Sequence, residues 1–172
     1  YDTYDNSQVF TVSNNAGETP QRIVINADDA ELYGAEVETY FEPVDGLVAE
    51  LRFSWLESRF LDFTDAVARR TEIATVTRRV VTDFNGNPLP NAPRFKLSGN
   101  ISYPIPLAGG MTMTPRYEFS WSDDVNFDPS GGRGTPDVTG AIFMPEHTIG
   151  QEALLLQNIR VTLSNAEGTV EV

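Results

Sequence analysis

The sequence predicts an all-β protein, an antiparallel meander of about seven strands, and two observations carry that prediction. The dominant hydrophobic period is two, and the connections between the periodic segments alternate between tight and long. No helical segment stands out.

The strands are justified in turn by which residues alternate. From Leu47, Leu47, Ala49, Leu51, Phe53 and Trp55 fall on one face while Glu50, Arg52 and Ser54 fall on the other. In Arg94 to Tyr103, Phe95, Leu97, Gly99, Ile101 and Tyr103 oppose Arg94, Lys96, Ser98, Asn100 and Ser102. After Gly110, Met111, Met113, Pro115, Tyr117, Phe119 and Trp121 oppose Thr112, Thr114, Arg116, Glu118 and Ser120. Weaker alternation covers Tyr33 to Phe41 and Asn158 to Leu163, and strand-like ends occupy Asp2 to Thr11 and Gly168 to Val172.

Pro43 to Gly46, Pro104 to Gly110 and Asn165 to Gly168 are tight connections. Val12 to Gln21, Leu61 to Pro93 and Ser122 to Gly150 are long ones, and loops beyond about 12 to 15 residues are often functional. A meander with short turns at one end and long loops at the other therefore has a plain end and an elaborated end. There is no fixed-period repeat and no low-complexity tract.

Composition narrows function by exclusion. At 172 residues the chain is expected to form one domain, and 25 acidic against 12 basic residues give a formal charge of −13. That argues against nucleic acid, which needs a basic face to displace counterions. Lys96 is the only lysine, so no lysine-rich surface for anionic lipid exists. No cysteine is present, which removes disulfides, thiolate nucleophiles and cysteine-based metal sites. His147 is the sole histidine, so a two-histidine metal motif is impossible. Apolar runs such as Ala153 to Leu156 fall far short of the ~20 residues of a transmembrane helix. The chain opens Tyr-Asp-Thr-Tyr with no signal-peptide pattern, and it is expected to be a piece of something longer.

Strands of this kind suit two architectures, and periodicity leaves both open. A soluble sandwich packs its apolar faces together, whereas a transmembrane barrel turns them to lipid around a polar lumen. Tyr117, Phe119 and Trp121 on one strand and Phe53 and Trp55 on another lie toward the long loops, while Phe41 and Tyr103 precede short turns. Two aromatic belts of this kind are a barrel feature.

Three segments favour the barrel. Asn26-Ala27-Asp28-Asp29-Ala30-Glu31-Leu32-Tyr33-Gly34-Ala35-Glu36-Val37-Glu38, with Pro43 and Gly46-Leu47, resembles the Asn-Ala-Gly, Gly-x-Glu and Pro-x-x-Gly-Leu stretch of TonB-dependent outer-membrane receptor barrels. Asp83 to Pro93 resembles the Gly-Asn-x-Leu-Pro-Asn-Ala-Pro return of that family from an external loop into the next strand, and Gln157-Asn158-Ile159-Arg160-Val161 resembles a late strand. Asp28 departs from the family's usual glycine. Nothing resembles the plug, and the terminal aromatic strand is missing after Val172, so the resemblance implies a segment of a large transmembrane β-barrel without its plug and last strands.

The resemblance implies import of a scarce, bulky ligand of siderophore, vitamin or glycan type across a Gram-negative outer membrane, with energy from TonB through the plug. Implied partners are membrane lipid, lipopolysaccharide, TonB and a small or medium-sized ligand. No enzyme activity, cofactor or metal is expected. The rival class is a secreted carbohydrate-binding β-sandwich.

Candidate ligand-binding residues follow from charge and position. Arg69, Arg70, Arg78 and Arg79 make the Phe60 to Pro93 loop basic within an acidic chain, and guanidinium groups suit anionic chelates and carboxylates. Their bland alternative is to balance the chain's own acids or to contact lipopolysaccharide. Arg52 and Arg116 sit on polar strand faces with Glu50, Lys96, Glu118 and Arg160, where a transport path competes with simple cross-strand pairing. Asp124 and Phe127 belong to an oxygen-rich stretch, Asp123 to Asp128, that opens like a calcium loop but has Pro129 where an EF-hand needs glycine.

Two registers are expected. A three-residue hairpin with Gly46 left-handed puts Glu38 opposite Arg52 and Val37 opposite Phe53. A second hairpin puts Tyr103 opposite Met111, Lys96 opposite Glu118 and Gly99 opposite Pro115, whose missing N–H should fall at a non-bonded position or a bulge. In water the isolated chain should self-associate through its strand edges.

Overall fold

The computed structural model describes residues 2–13, 21–70, 77–133, 144–145, 147–165 and 169–171. Its strands in chain order are β1 (Asp2–Ser13), β2 (Gln21–Phe41), β3 (Val48–Asp62), β4 (Thr64–Arg70), β5 (Thr77–Asp83), β6 (Phe95–Ser102), β7 (Ile105–Pro106), β8 (Thr112–Ser122), β9 (Val125–Asn126), β10 (Gly150–Gln151), β11 (Leu154–Ser164) and β12 (Thr169–Glu171). The main sheet runs β1-β2-β3-β6-β8-β11-β12, with β7 also on β8, and its described ladders are antiparallel. The all-β meander expected from the alternation is therefore present.

Two strands run further than their alternation suggested. β2 has 21 residues and β3 has 15, against the ~9–11 that a tilted membrane strand needs. The Leu61 to Pro93 connection is also no plain loop, because β4 and β5 pair within it.

Chain contacts divide the molecule into two compact units. One, the wall, comprises Ala35–Trp55, Phe95–Asp123 and Ala153–Val172; the other, the loop unit, comprises Tyr1–Gly34, Leu56–Arg94 and Asp124–Glu152.

In the wall the expected meeting of Glu38 with Arg52 is present, while the turn bond closes around Asp45 and Gly46 and not around three residues. Gly46 is left-handed at φ 81°, Leu47 N–H donates to the Val44 carbonyl at 3.0 Å, and Arg52 meets Glu38 at 3.6 Å. One step along, Ser54 donates to Glu36 at 3.4 Å.

The second register is corrected. Lys96 faces Ser122, Gly99 faces Phe119 and Asn100 faces Glu118, because the chain keeps pairing past Pro104 through Ile105 opposite Met113. The turn is thus pushed out to Leu107–Met111, around left-handed Gly109 and Gly110. The shift is by an even number of residues, so every side chain keeps its expected face. Pro115 stays inside β8, and its carbonyl accepts from Tyr103 N–H at 3.3 Å. In an antiparallel bonded pair the proline nitrogen then faces the Tyr103 carbonyl and cannot donate, which matches the gap between β6 and β7. The Asn165 to Gly168 turn falls mainly outside the described residues.

The loop unit has its own core. Ala30, Phe60, Phe63 and Phe84 are each 1% exposed, with Leu89 packed against them. The Phe60–Phe63 and Phe63–Phe84 ring centroids are both 4.9 Å apart, within the range where aromatic pairs add about 0.5–1.5 kcal/mol to area burial. The segment after Phe84 is tied to the upper part of β3 by Gly86 N–H to Phe60 O, Phe60 N–H to Asn87 O and Leu56 N–H to Arg94 O.

Candidate functional site

Alternation gives the wall two chemically opposite faces, and the registers turn each face into rows. Leading across β3, β6, β8 and β11, Glu50, Asn100, Glu118 and Asn158 form one row. Asn100 Nδ2 donates to Glu50 Oε2 at 3.0 Å, and Asn158 Nδ2 donates to Glu118 Oε2 at 3.3 Å. Cations bracket these carboxylates: Arg52 donates to Glu50 at 3.2 Å and Arg116 Nε to Glu118 Oε1 at 2.6 Å.

On the short-turn side, the next row pairs Ser102, Arg116 and Arg160. Like charges directly opposite each other are unfavourable, and the Glu118 carboxylate beside Arg116 offsets that cost. On the long-loop side come Arg52, Ser98, Ser120 and Leu156, then Ser54, Lys96, Ser122 and Leu154. Lys96 is exposed and makes no ion pair among the described residues. The face is thus banded: arginine, carboxylate and amide, then serine with a cation. Such a surface suits water and polar solutes.

The opposite face carries Ala49, Ile101, Tyr117 and Ile159 in one row and Phe53, Leu97, Trp121 and Leu155 in another. Ile159 is 74% exposed and Leu155 51%, so among the described residues no protein layer covers this face there. A sandwich would bury it. Between the two rows lie Leu51, Gly99, Phe119 and Gln157. The Phe119 ring lies over Gly99, where a Cβ would stand 2.9 Å from Phe119 Cε1 and 2.7 Å from the Glu50 carbonyl oxygen. Only glycine fits that position.

The loop unit holds the remaining candidates. Asp124 and Phe127 are exposed beside β9, which pairs with β10 through Asn126 opposite Gly150. Phe127 N–H donates to Ile149 O, and Asn91 N–H to Asn126 O. Asp128 is used by its own loop, accepting from Gly132 N–H at 3.0 Å and from the Ser130 hydroxyl. Glu31, 6% exposed, is bound by Arg59. His147 sits in a turn with φ 57°.

Arg69 and Arg78 are directly opposite in the β4–β5 ladder, with Arg79 opposite Ala68 and Arg70 opposite Thr77. Residues 69 and 78 therefore share one face of the hairpin and 70 and 79 the other. Their side chains lie outside the described residues. Arg52 and Arg116 belong to the wall, while the other six candidates belong to the loop unit.

Sequence reasoning found the charged members of the polar rows but missed Asn100 and Asn158, which link them. The even-numbered alternation was the available signal. It also missed the Glu31–Arg59 pair and the Phe60, Phe63 and Phe84 core, which depend on a chain return that no local pattern encodes.

Comparison with known families gives one match: the model described as TonB dependent receptor-like, beta-barrel covers residues 1–160. No curated protein and no solved structure matches the chain.

Proposed function

This chain belongs to the TonB-dependent receptor β-barrel family, an outer-membrane receptor family of Gram-negative bacteria, and from that premise we propose what it contributes to import. Such receptors are transporters that work with TonB on an imported ligand. In our reading the wall is one part of the barrel, its odd-numbered face toward lipid and its even-numbered face toward the lumen. The β4–β5 hairpin catches ligand outside, and the banded polar rows pass it inward.

The observation that carries the ligand class is the pairing of Arg69 with Arg78. Two like charges set directly opposite destabilise a hairpin, so the arrangement is a cost that an anionic partner removes. We read the ligand as bulky and anionic, a metal chelate or carboxylate-bearing molecule of siderophore, vitamin or glycan type. Arg70 and Arg79 stand on the other face of the hairpin, and Asp124 and Phe127 belong to the same unit. Arg52 and Arg116 act on the lumen side, where their carboxylate partners keep them in place for a passing ligand. Lipid and lipopolysaccharide surround the barrel, and the isolated chain pairs its outer strands, β1 and β12, with a second copy.

The test is deletion of Asp65 to Thr82 in the parent receptor. Uptake should fall about tenfold or more while barrel assembly is retained. Unchanged uptake removes the hairpin from the mechanism.

A further inference from the structure

Asn85–Gly86 is the single Asn-Gly step of the chain, and it closes the base of the β4–β5 hairpin. Phe84 N–H donates to the Phe63 carbonyl at 2.9 Å and Phe63 N–H donates to Asn85 Oδ1 at 2.7 Å, so the residue entering β4 is tied twice to the chain leaving β5. Asn87 N–H donates to Phe84 O at 3.0 Å, which makes residues 84–87 a turn with Gly86 left-handed at φ 80°.

This step carries both halves of a reaction. The Gly86 nitrogen is a nucleophile once it loses its proton, and the Asn85 side-chain amide carbon lies within reach of it along the same short stretch of chain. Glycine leaves that nitrogen unshielded, and a Cβ at Gly86 would meet no packed neighbour within 4 Å among the described residues, so packing does not bar ring closure. Asn85 is exposed, so water reaches it. Hydrogen bonding is what restrains the pair: the Phe60 carbonyl takes the Gly86 N–H at 2.9 Å, and the Phe63 N–H holds the Asn85 side chain in place. The Phe63 bond alone would draw charge from the amide and make its carbon a better electrophile. The lock is therefore the bond to Phe60, which withholds the nucleophile.

We propose that Asn85 is a latent self-modification site, closed while the loop unit is folded and converted to aspartate or isoaspartate when that unit opens. With the Phe60 bond lost, Gly86 N attacks Asn85 Cγ: the N–Cγ bond forms, the Cγ–Nδ2 bond breaks, and the side-chain nitrogen leaves as ammonia with the proton that Gly86 gives up. Water then opens the cyclic imide, its hydroxyl going to a carbonyl carbon and its proton to the ring nitrogen. Opening at Cγ yields aspartate, and opening at the main-chain carbonyl carbon yields isoaspartate. No atom changes oxidation state, and water is the only co-reactant.

The product keeps the unit from closing as before. Isoaspartate carries an additional main-chain carbon between Phe84 N and Gly86 N, the two donors that reach Phe63 O and Phe60 O, so their spacing no longer fits both acceptors. Either product also sets a new carboxylate beside Asp83, whose Oδ1 accepts the Asn85 N–H at 2.9 Å.

The experiment incubates the whole receptor in vesicles at neutral pH, digests samples with trypsin and follows the amide-to-acid mass gain and isoaspartate elution of the fragment 80–94, with a synthetic peptide 80–94 as the unlocked reference. Conversion at Asn85 should be about tenfold or more slower in the receptor than in the peptide. Phe63→Ala should raise it toward the peptide rate, while Asn87 and Asn91, followed by Pro88 and Ala92, remain amides in the same fragment. Should that variant fail to assemble, urea at concentrations that speed tryptic cleavage at Arg94 in the unaltered receptor should produce the same rise. Receptor enriched in isoaspartate should be cut faster at Arg94 than fresh receptor. Equal conversion in receptor and peptide would overturn the lock, and no conversion in the opened receptor would overturn the site. Unchanged cleavage after conversion would overturn the claim that the product holds the unit open.

Discussion

Along β3 the apolar residues change sides. In the wall they are odd-numbered, Leu51, Phe53 and Trp55, with Glu50, Arg52 and Ser54 opposite; in the loop unit Phe60 is buried on the even parity with Ser58, and Arg59 and Leu61 are exposed. β2 differs between the units in burial, with Val37, Tyr40 and Phe41 exposed in the wall and Ala30 buried in the loop unit. The difference teaches which solvent each part of a strand was built for. On the lipid-facing reading proposed above, the wall's apolar side chains point to lipid and its polar side to the lumen; in the loop unit the apolar side chains have a protein cover, which Phe63, Phe84 and Leu89 provide.

The two units should therefore fail separately. The largest effect expected is from Phe63→Ala, which removes the ring shared by both aromatic pairs and should cost the loop unit about 3–5 kcal/mol. Trypsin should then cut faster at Arg59 or Arg94 while the barrel keeps its heat-modifiable band on a gel. Loss of that band would join the two units into one cooperative element.

Gly99→Val acts on the other side of the comparison. The Glu50 carbonyl is main chain and cannot step aside, so overpacking should cost the wall about 1–3 kcal/mol. Urea unfolding from lipid vesicles should show the lowered midpoint, with tryptic cleavage of the loop unit unaltered.

Glu31→Gln should weaken the loop unit by about 1–2 kcal/mol, since a charge-assisted bond to a buried carboxylate is lost while Arg59, half exposed, regains water. Proteolysis rates provide the measure, and an effect as large as that of Phe63→Ala would mean the ion pair, and not the rings, organises the unit. The smallest effect belongs to Glu38 and Arg52. Both are well exposed, and a double-mutant cycle should return under about 1 kcal/mol of coupling, falling further with salt.

What was legible in the sequence divides along the same line. Wall strands such as β6 and β8 were readable because one apolar and one polar face enforce strict alternation, which is a local signal. The Gly46 hairpin was readable because few residues accept its left-handed backbone. The second turn was misplaced because Pro104 and Pro115 look like strand ends, yet a single missing ladder bond lets pairing continue to Ile105 opposite Met113. The loop unit was read as long loops because its order rests on nonlocal bonds such as Asn87 Nδ2 to Pro129 O at 2.8 Å, and neither partner announces the other. Of the candidate site, Arg52 and Arg116 were legible from face and charge, whereas the pairing of Arg69 with Arg78 needed the β4–β5 register.

The central claim, that the odd-numbered side of the wall meets lipid and the even-numbered side meets water, is tested most directly by cysteine accessibility. The chain has no cysteine, so once any cysteine elsewhere in the receptor is replaced by serine each introduced thiol is read against a silent background. Asn158→Cys and Ile159→Cys differ by one residue on β11 and by face. In receptor reconstituted into vesicles, a charged membrane-impermeant maleimide should label position 158 and leave position 159 unlabelled until detergent or denaturant is added. Equal labelling of both, or labelling of 159 alone, would contradict the account.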